Sequence, residues 1–99
     1  MIKEELQYQA RRALPGALEA LANSVLKTSE FFIVNNTRDQ RKQIEAPADK
    51  FKILAKNARE GRDVTYQEFD AVLRELRAAG KGTDQEFVSK VAKALIEAQ

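Results

Sequence analysis

Apolar residues recur every three or four positions along almost the whole of this chain, and the places where that rhythm stops divide it into four stretches. In the first, Ile2, Leu6, Ala10, Ala13, Leu14, Ala17, Leu18, Leu21, Val25 and Phe32 fall on one side of a helix that turns 100° per residue. The spacing predicts a helix over 2–34 with one buried stripe. Pro15-Gly16 lies inside it. The stripe keeps its phase across the pair, so a kink near Pro15 is expected in place of a loop.

Asn35-Asn36 supplies residues that tolerate a helix terminus, and Thr37 followed by Gln40 has the form of a capping box opening the next helix. Ile44, Ala48, Phe51, Leu54, Ala55 and Ala58 share a face over 38–60, and Gly61 is the stop. Pro47 does not disturb the register of the apolar positions on either side of it, so a kinked but continuous helix is again expected.

Two near-copies, TYQEF at 65–69 and TDQEF at 83–87, open the third and fourth stretches. In the first copy Thr65 is placed to accept from the Glu68 backbone N–H, and Val64 and Phe69 form a hydrophobic staple around it. Thr83 and Glu86 repeat the box without the staple. Phe69, Val72, Leu73 and Leu76 then line a helix over 66–79 stopped by Gly80. Phe87, Val88, Val91, Leu95 and Ile96 line another over 84–98. No strand-like alternation of useful length occurs. Short connections make sequential helices antiparallel neighbours, so the fold expected is all-α, an antiparallel up-down four-helix bundle forming a single domain over 1–99.

Composition then narrows the chemistry. Leu, Ile, Val and Phe total 25 of 99 residues, enough apolar side chain for one core. With no Cys and no His, disulfides, zinc-thiolate sites, thiol nucleophiles and the usual general base are excluded. A nucleophile among Ser24, Ser29 and Ser89 would need a Lys base held close, and no spacing points to such a pair. The stretch 57–68 has the cadence of an EF-hand loop ending at Glu68. Its first, third and fifth positions would be Asn57, Arg59 and Gly61, which is no calcium site. No catalytic residue, metal or cofactor is expected. No apolar run approaches the roughly 20 residues that span a bilayer, and 1–10 carries three charges where a signal peptide needs an apolar stretch, so a cytoplasmic protein is expected.

Net charge is only +2, but cations gather between 38 and 62, eight against four acids. Arg38, Arg41, Lys42, Lys52, Lys56 and Arg59 fall within about 100° of arc opposite the apolar face, where they could follow a phosphate backbone. Glu45 and Asp49 interrupt the stripe, and no aromatic is interleaved to stack on bases. A helix-turn-helix formed by the last two helices is disfavoured, because Asp84 and Glu86 would sit at the end meeting phosphates.

Four apolar residues do not fit their stripes. Leu26 and Ile33 project some 130–150° from the buried arc of the first helix, Val34 points in a third direction, and Ile53 lies nearly opposite the apolar face of the second. A helix apolar on two sides either lies deep in its bundle or buries the second side against another chain. The function expected is therefore a non-catalytic protein-protein interaction module whose partner is another protein or a second copy, a homodimer. Nucleic-acid binding along the basic stripe is the alternative.

Overall fold

A computed structural model describes residues 3–31, 38–79 and 84–99, the side chains of 28–31 and 38–41 excepted. Four helices follow one another: α1 Lys3–Phe31, α2 Arg38–Arg59, α3 Tyr66–Ala78 and α4 Gln85–Glu97. Among the described residues there is no strand. At 1.5 Å per residue, helices of 29 and 22 residues are about 43 and 33 Å long, against about 20 Å for the two of 13. The expected up-down bundle therefore forms with unequal members. A long α1/α2 hairpin is its spine, α3 packs on α2, α4 packs on α1, and α3 and α4 barely touch each other.

Directions follow from which residues meet. Ile53 and Glu68 line one hollow between α2 and α3, and Lys42 and Ala79 line the next, so these helices run antiparallel. At the other edge Gln7 Nε2 donates to the Gln99 carbonyl at 2.6 Å and Arg11 Nε to the Ala98 carbonyl at 3.2 Å, which fixes the end of α4 beside the start of α1.

Both long helices run unbroken through their prolines. Each proline removes the N–H that would have bonded the carbonyl four residues earlier, Arg11 and Gln43 respectively. A proline in an exposed helix interior costs about 3 kcal/mol. Here both rings are buried, Pro47 completely, so each contributes apolar surface to the core that offsets the missing bond.

The core is one cluster drawn from all four helices, with Leu18, Leu21, Phe51, Phe69, Leu76, Val91 and Leu95 fully enclosed. Phe51 and Phe69 meet at 5.7 Å between ring centroids, and Tyr66 places its ring edge-on to Phe69 at 6.2 Å. The α1/α2 seam is built from small residues instead. Ala48 and Ala55 share the side of α2 that carries Arg59, whose carboxylate partner Glu19 is on α1, and Ala22 sits one turn from Glu19. All three alanines are fully buried, and their small side chains allow the two helices to approach closely.

Helix punctuation is resolved in detail. Gly61, at φ +81°, ends α2: the Arg62 N–H donates to the Asn57 carbonyl at 2.9 Å and the Gly61 N–H to the Ala58 carbonyl at 3.2 Å, a Schellman closure. Only a residue without Cβ adopts that φ at no steric cost. Thr65 caps α3, its Oγ1 accepting from the Glu68 N–H at 3.1 Å, with Val64 and Phe69 both buried beside it. Replacing Thr65 with Ala is expected to cost about 1 kcal/mol, read as a lower urea midpoint with an unchanged slope. An unaltered midpoint would show that the cap is dispensable.

The second copy behaves differently. Asp84, not Thr83, caps α4, its carboxylate accepting from the Glu86 N–H at 2.9 Å. Asp is at least as good a cap as Thr and sits one residue closer, which moves the start of the helix by one position. Thr83, Gly80 and the Thr37 box lie outside the described residues.

Candidate functional site

Of the four residues expected on a second apolar surface, only Ile53 is seen to stand free, at 56% exposure. Leu26 is a correction: it is partly buried and packs against the core. It lies four residues after Ala22 and so belongs to the α2-facing side of α1. A helix touched by two neighbours has a wider buried arc than one stripe allows. Ile33 and Val34 lie outside the described residues. Three stripe positions fail in the opposite sense, the small Ala13 and two large residues. Ile96 is 67% exposed, because α4 buries only a narrow seam and Ile96 lies 100° around from Leu95. Leu6 is 37% exposed near the start of α1, where Lys3, Glu4 and Glu5 are exposed as well.

Ile53 opens onto a groove between α2 and α3. Its upper part, about 360 Å³, is lined by Ile53, Leu54, Ala71 and Val72, with Lys50, Glu68 and Glu75 at the rim. Its continuation, about 470 Å³, runs over Ala46, Ala78 and Ala79 beside Lys42 and Gln43. Lys50 Nζ and Glu75 Oε2, 2.7 Å apart, bridge the groove between the two parts. The floor is apolar and shallow because exposed alanines stand where longer side chains would fill it: Ala46 one heptad before Ile53 on α2, and Ala71 one heptad before Ala78 on α3. Sequence reasoning missed these three alanines. The signal was their seven-residue spacing on the side of each helix adjoining its apolar face.

The basic stripe is less available than its wheel suggests. Arg59 is hydrogen-bonded to Glu19 across the α1/α2 seam. That bond, with the charge of Arg59 and then of Lys52, holds the Glu19 carboxyl below the usual carboxylate range, and it raises Arg59 in turn. A carboxylate shifted in this sense favours the folded state above its unfolded pKa, and the contribution fades as pH falls through the lowered value. Lys42, Lys52 and Lys56 are exposed, Lys42 at the groove, while the side chains of Arg38 and Arg41 lie outside the description. The stripe is thus reduced at one end by an intramolecular partner.

A third hollow, about 630 Å³, lies at the bundle end among Arg11, Leu14, Gly61, Val64, Gln67 and Gln99. Its Arg11 is engaged with the Ala98 carbonyl, and the neighbouring Arg62 lies 3.7 Å from Glu60. Among the described residues no three acids are placed to hold a metal ion, and no helix is long and apolar enough to cross a membrane. The outer charges of α4 pair along the helix, Lys90 with Glu86 at 3.5 Å and Lys93 with Glu97 at 4.0 Å, as the sequence spacing anticipates for a solvent face. No protein-family model, curated protein or solved structure matches this chain.

Proposed function

We propose that this chain is a non-catalytic helical interaction module that binds protein through the α2/α3 groove. The observation that carries this is Ile53. Several large apolar side chains are exposed, among them Leu6, Tyr8, Tyr66 and Ile96, but Ile53 is the one at the mouth of this apolar-floored groove with charges on both rims. Burying such a side chain in a partner is favourable by about 1.5–3 kcal/mol, and a central apolar anchor ringed by polar groups is how compact interfaces concentrate their affinity. Among the described residues, the titratable groups held away from their ordinary values, Glu19 and Arg59, are explained by their bond to each other and lie outside the groove. The cytoplasm is the compartment proposed with this reading.

Quantitative affinity capture with the purified chain as bait tests it, run in parallel with Ile53→Asp. The position is exposed, so folding is expected to survive and circular dichroism to be unchanged. A small set of proteins recovered by the original chain and lost, about tenfold or more, with Ile53→Asp is expected. Identical recoveries from the two baits would reject the groove as the binding surface.

A further inference from the structure

The charges that border the groove are sorted by helix. On α2 the rim carries Lys42 and Lys50; on α3 it carries Glu68 and Glu75. Three charges on the same outer face depart from this: the acids Glu45 and Asp49 on α2, and the cation Arg74 on α3, which lies 2.9 Å from Asp70. Across the two helices they are themselves opposite in sign. The antiparallel pairing of α2 and α3, with Ile53 beside Glu68 and Lys42 beside Ala79, also places Asp49 and Arg74 within about one helical turn of the same height. One face of the molecule is therefore complementary to itself, provided that α2 of one molecule lies over α3 of another.

We propose that the occupant of the groove is a second copy of this chain, in a two-fold arrangement whose axis runs along the helices, so that α2 of each copy lies over α3 of the other. This rests on the reading of the groove as a protein-binding surface and names its partner. The alternative two-fold, with its axis across the helices, places α2 over α2 in reversed direction and, with the axis near Ala46, sets Lys42 of each copy against Lys50 of the other. Like charges brought together in this way are what specific interfaces avoid. In the favoured arrangement Ile53 of each copy reaches the cleft beside Ala71 of the other, Lys50 approaches a second Glu75, and Asp49 meets Arg74. The exposed alanines on both helices leave room for the backbones to approach. α3 limits the contact to about 20 Å of helix, the small end of stable interfaces, so the dimer is reversible and sensitive to salt.

Sedimentation equilibrium over a wide concentration range tests the arrangement with four chains: the original, Ile53→Asp, the pair Lys42→Glu with Lys50→Glu, and the pair Glu68→Lys with Glu75→Lys. The original chain is expected to dimerise at low ionic strength and to weaken several-fold in 1 M salt, where screening reaches within about 3 Å. Each variant alone is expected to be monomeric. An equimolar mixture of the two charge variants is expected to dimerise again, since on one side of the axis the acidic α2 of the first meets the basic α3 of the second, and on the other the basic α2 of the second meets the acidic α3 of the first. All the substituted side chains are solvent-exposed or at the rim, and circular dichroism confirms that the helices persist. A mixture of folded variants that stays monomeric overturns the arrangement. So does an original chain that is monomeric at every concentration, a result that needs no variant at all. In that case Ile53-dependent capture of a different protein would still uphold the groove as a docking surface, so the two proposals fail separately.

Discussion

Phe69→Ala is expected to remove 3–5 kcal/mol of folding free energy, a large share of the 5–15 kcal/mol that holds a typical domain together. The ring is fully buried, contacts Phe51 at 5.7 Å and Tyr66 at 6.2 Å, and sits one turn beyond the Thr65 cap. It also anchors a helix of 13 residues, a length that is marginal in water without tertiary support. Losing it should weaken the attachment of the whole of α3. Urea denaturation measures the effect, and Ile96→Ala is the matched control: that side chain is 67% exposed, and its truncation is expected to cost within about 0.5 kcal/mol. Equal costs at the two sites would mean that burial is misassigned.

The second large effect comes from adding atoms. Ala48→Leu, a substitution that barely changes helix propensity and increases hydrophobicity, is expected to cost about 1–3 kcal/mol. Ala48 is fully buried on the side of α2 that carries Ala55 and Arg59 toward α1, so a longer side chain there has to displace neighbours already in contact with it. Ala78→Leu, on the exposed floor of the α2/α3 groove, is expected to leave the urea midpoint nearly unchanged. A neutral or stabilising Ala48→Leu would show that the α1/α2 seam is looser than its alanines imply.

The number of helices, their ends near Gly61 and Thr65, and most of the core follow from local rules that operate within a few residues, and these were legible in the sequence. Continuity through Pro15 and Pro47 was legible too, because an apolar stripe in phase on both sides of a proline needs one helix to carry it. Leu26 and Ile96 went the other way, and for a single reason. A helical wheel assigns one buried face per helix, whereas the width of that face depends on how many neighbours the helix acquires: α1 packs against both α2 and α4, and α4 rests chiefly on α1. Of the candidate site, Ile53 could be picked out as an apolar residue on the wrong side of its helix. The groove beneath it could not, since Ala46, Ala71 and Ala78 announce themselves only once α2 and α3 lie side by side. Asp84 taking the cap in place of Thr83 is a competition between two good capping residues that spacing alone does not decide.

The near-absence of contact between α3 and α4 has a consequence for how the molecule breathes. Each is fastened to a different member of the α1/α2 hairpin, so α4 can loosen without pulling α3 after it, and the reverse. Opening free energies should then be graded, highest at the backbone amides around Leu18, Leu21, Ala48 and Phe51 and lower in each outer helix separately. Two outer helices thus share a common spine, and a molecule that binds α3 is expected to raise the opening free energy of that helix while leaving that of α4 unchanged.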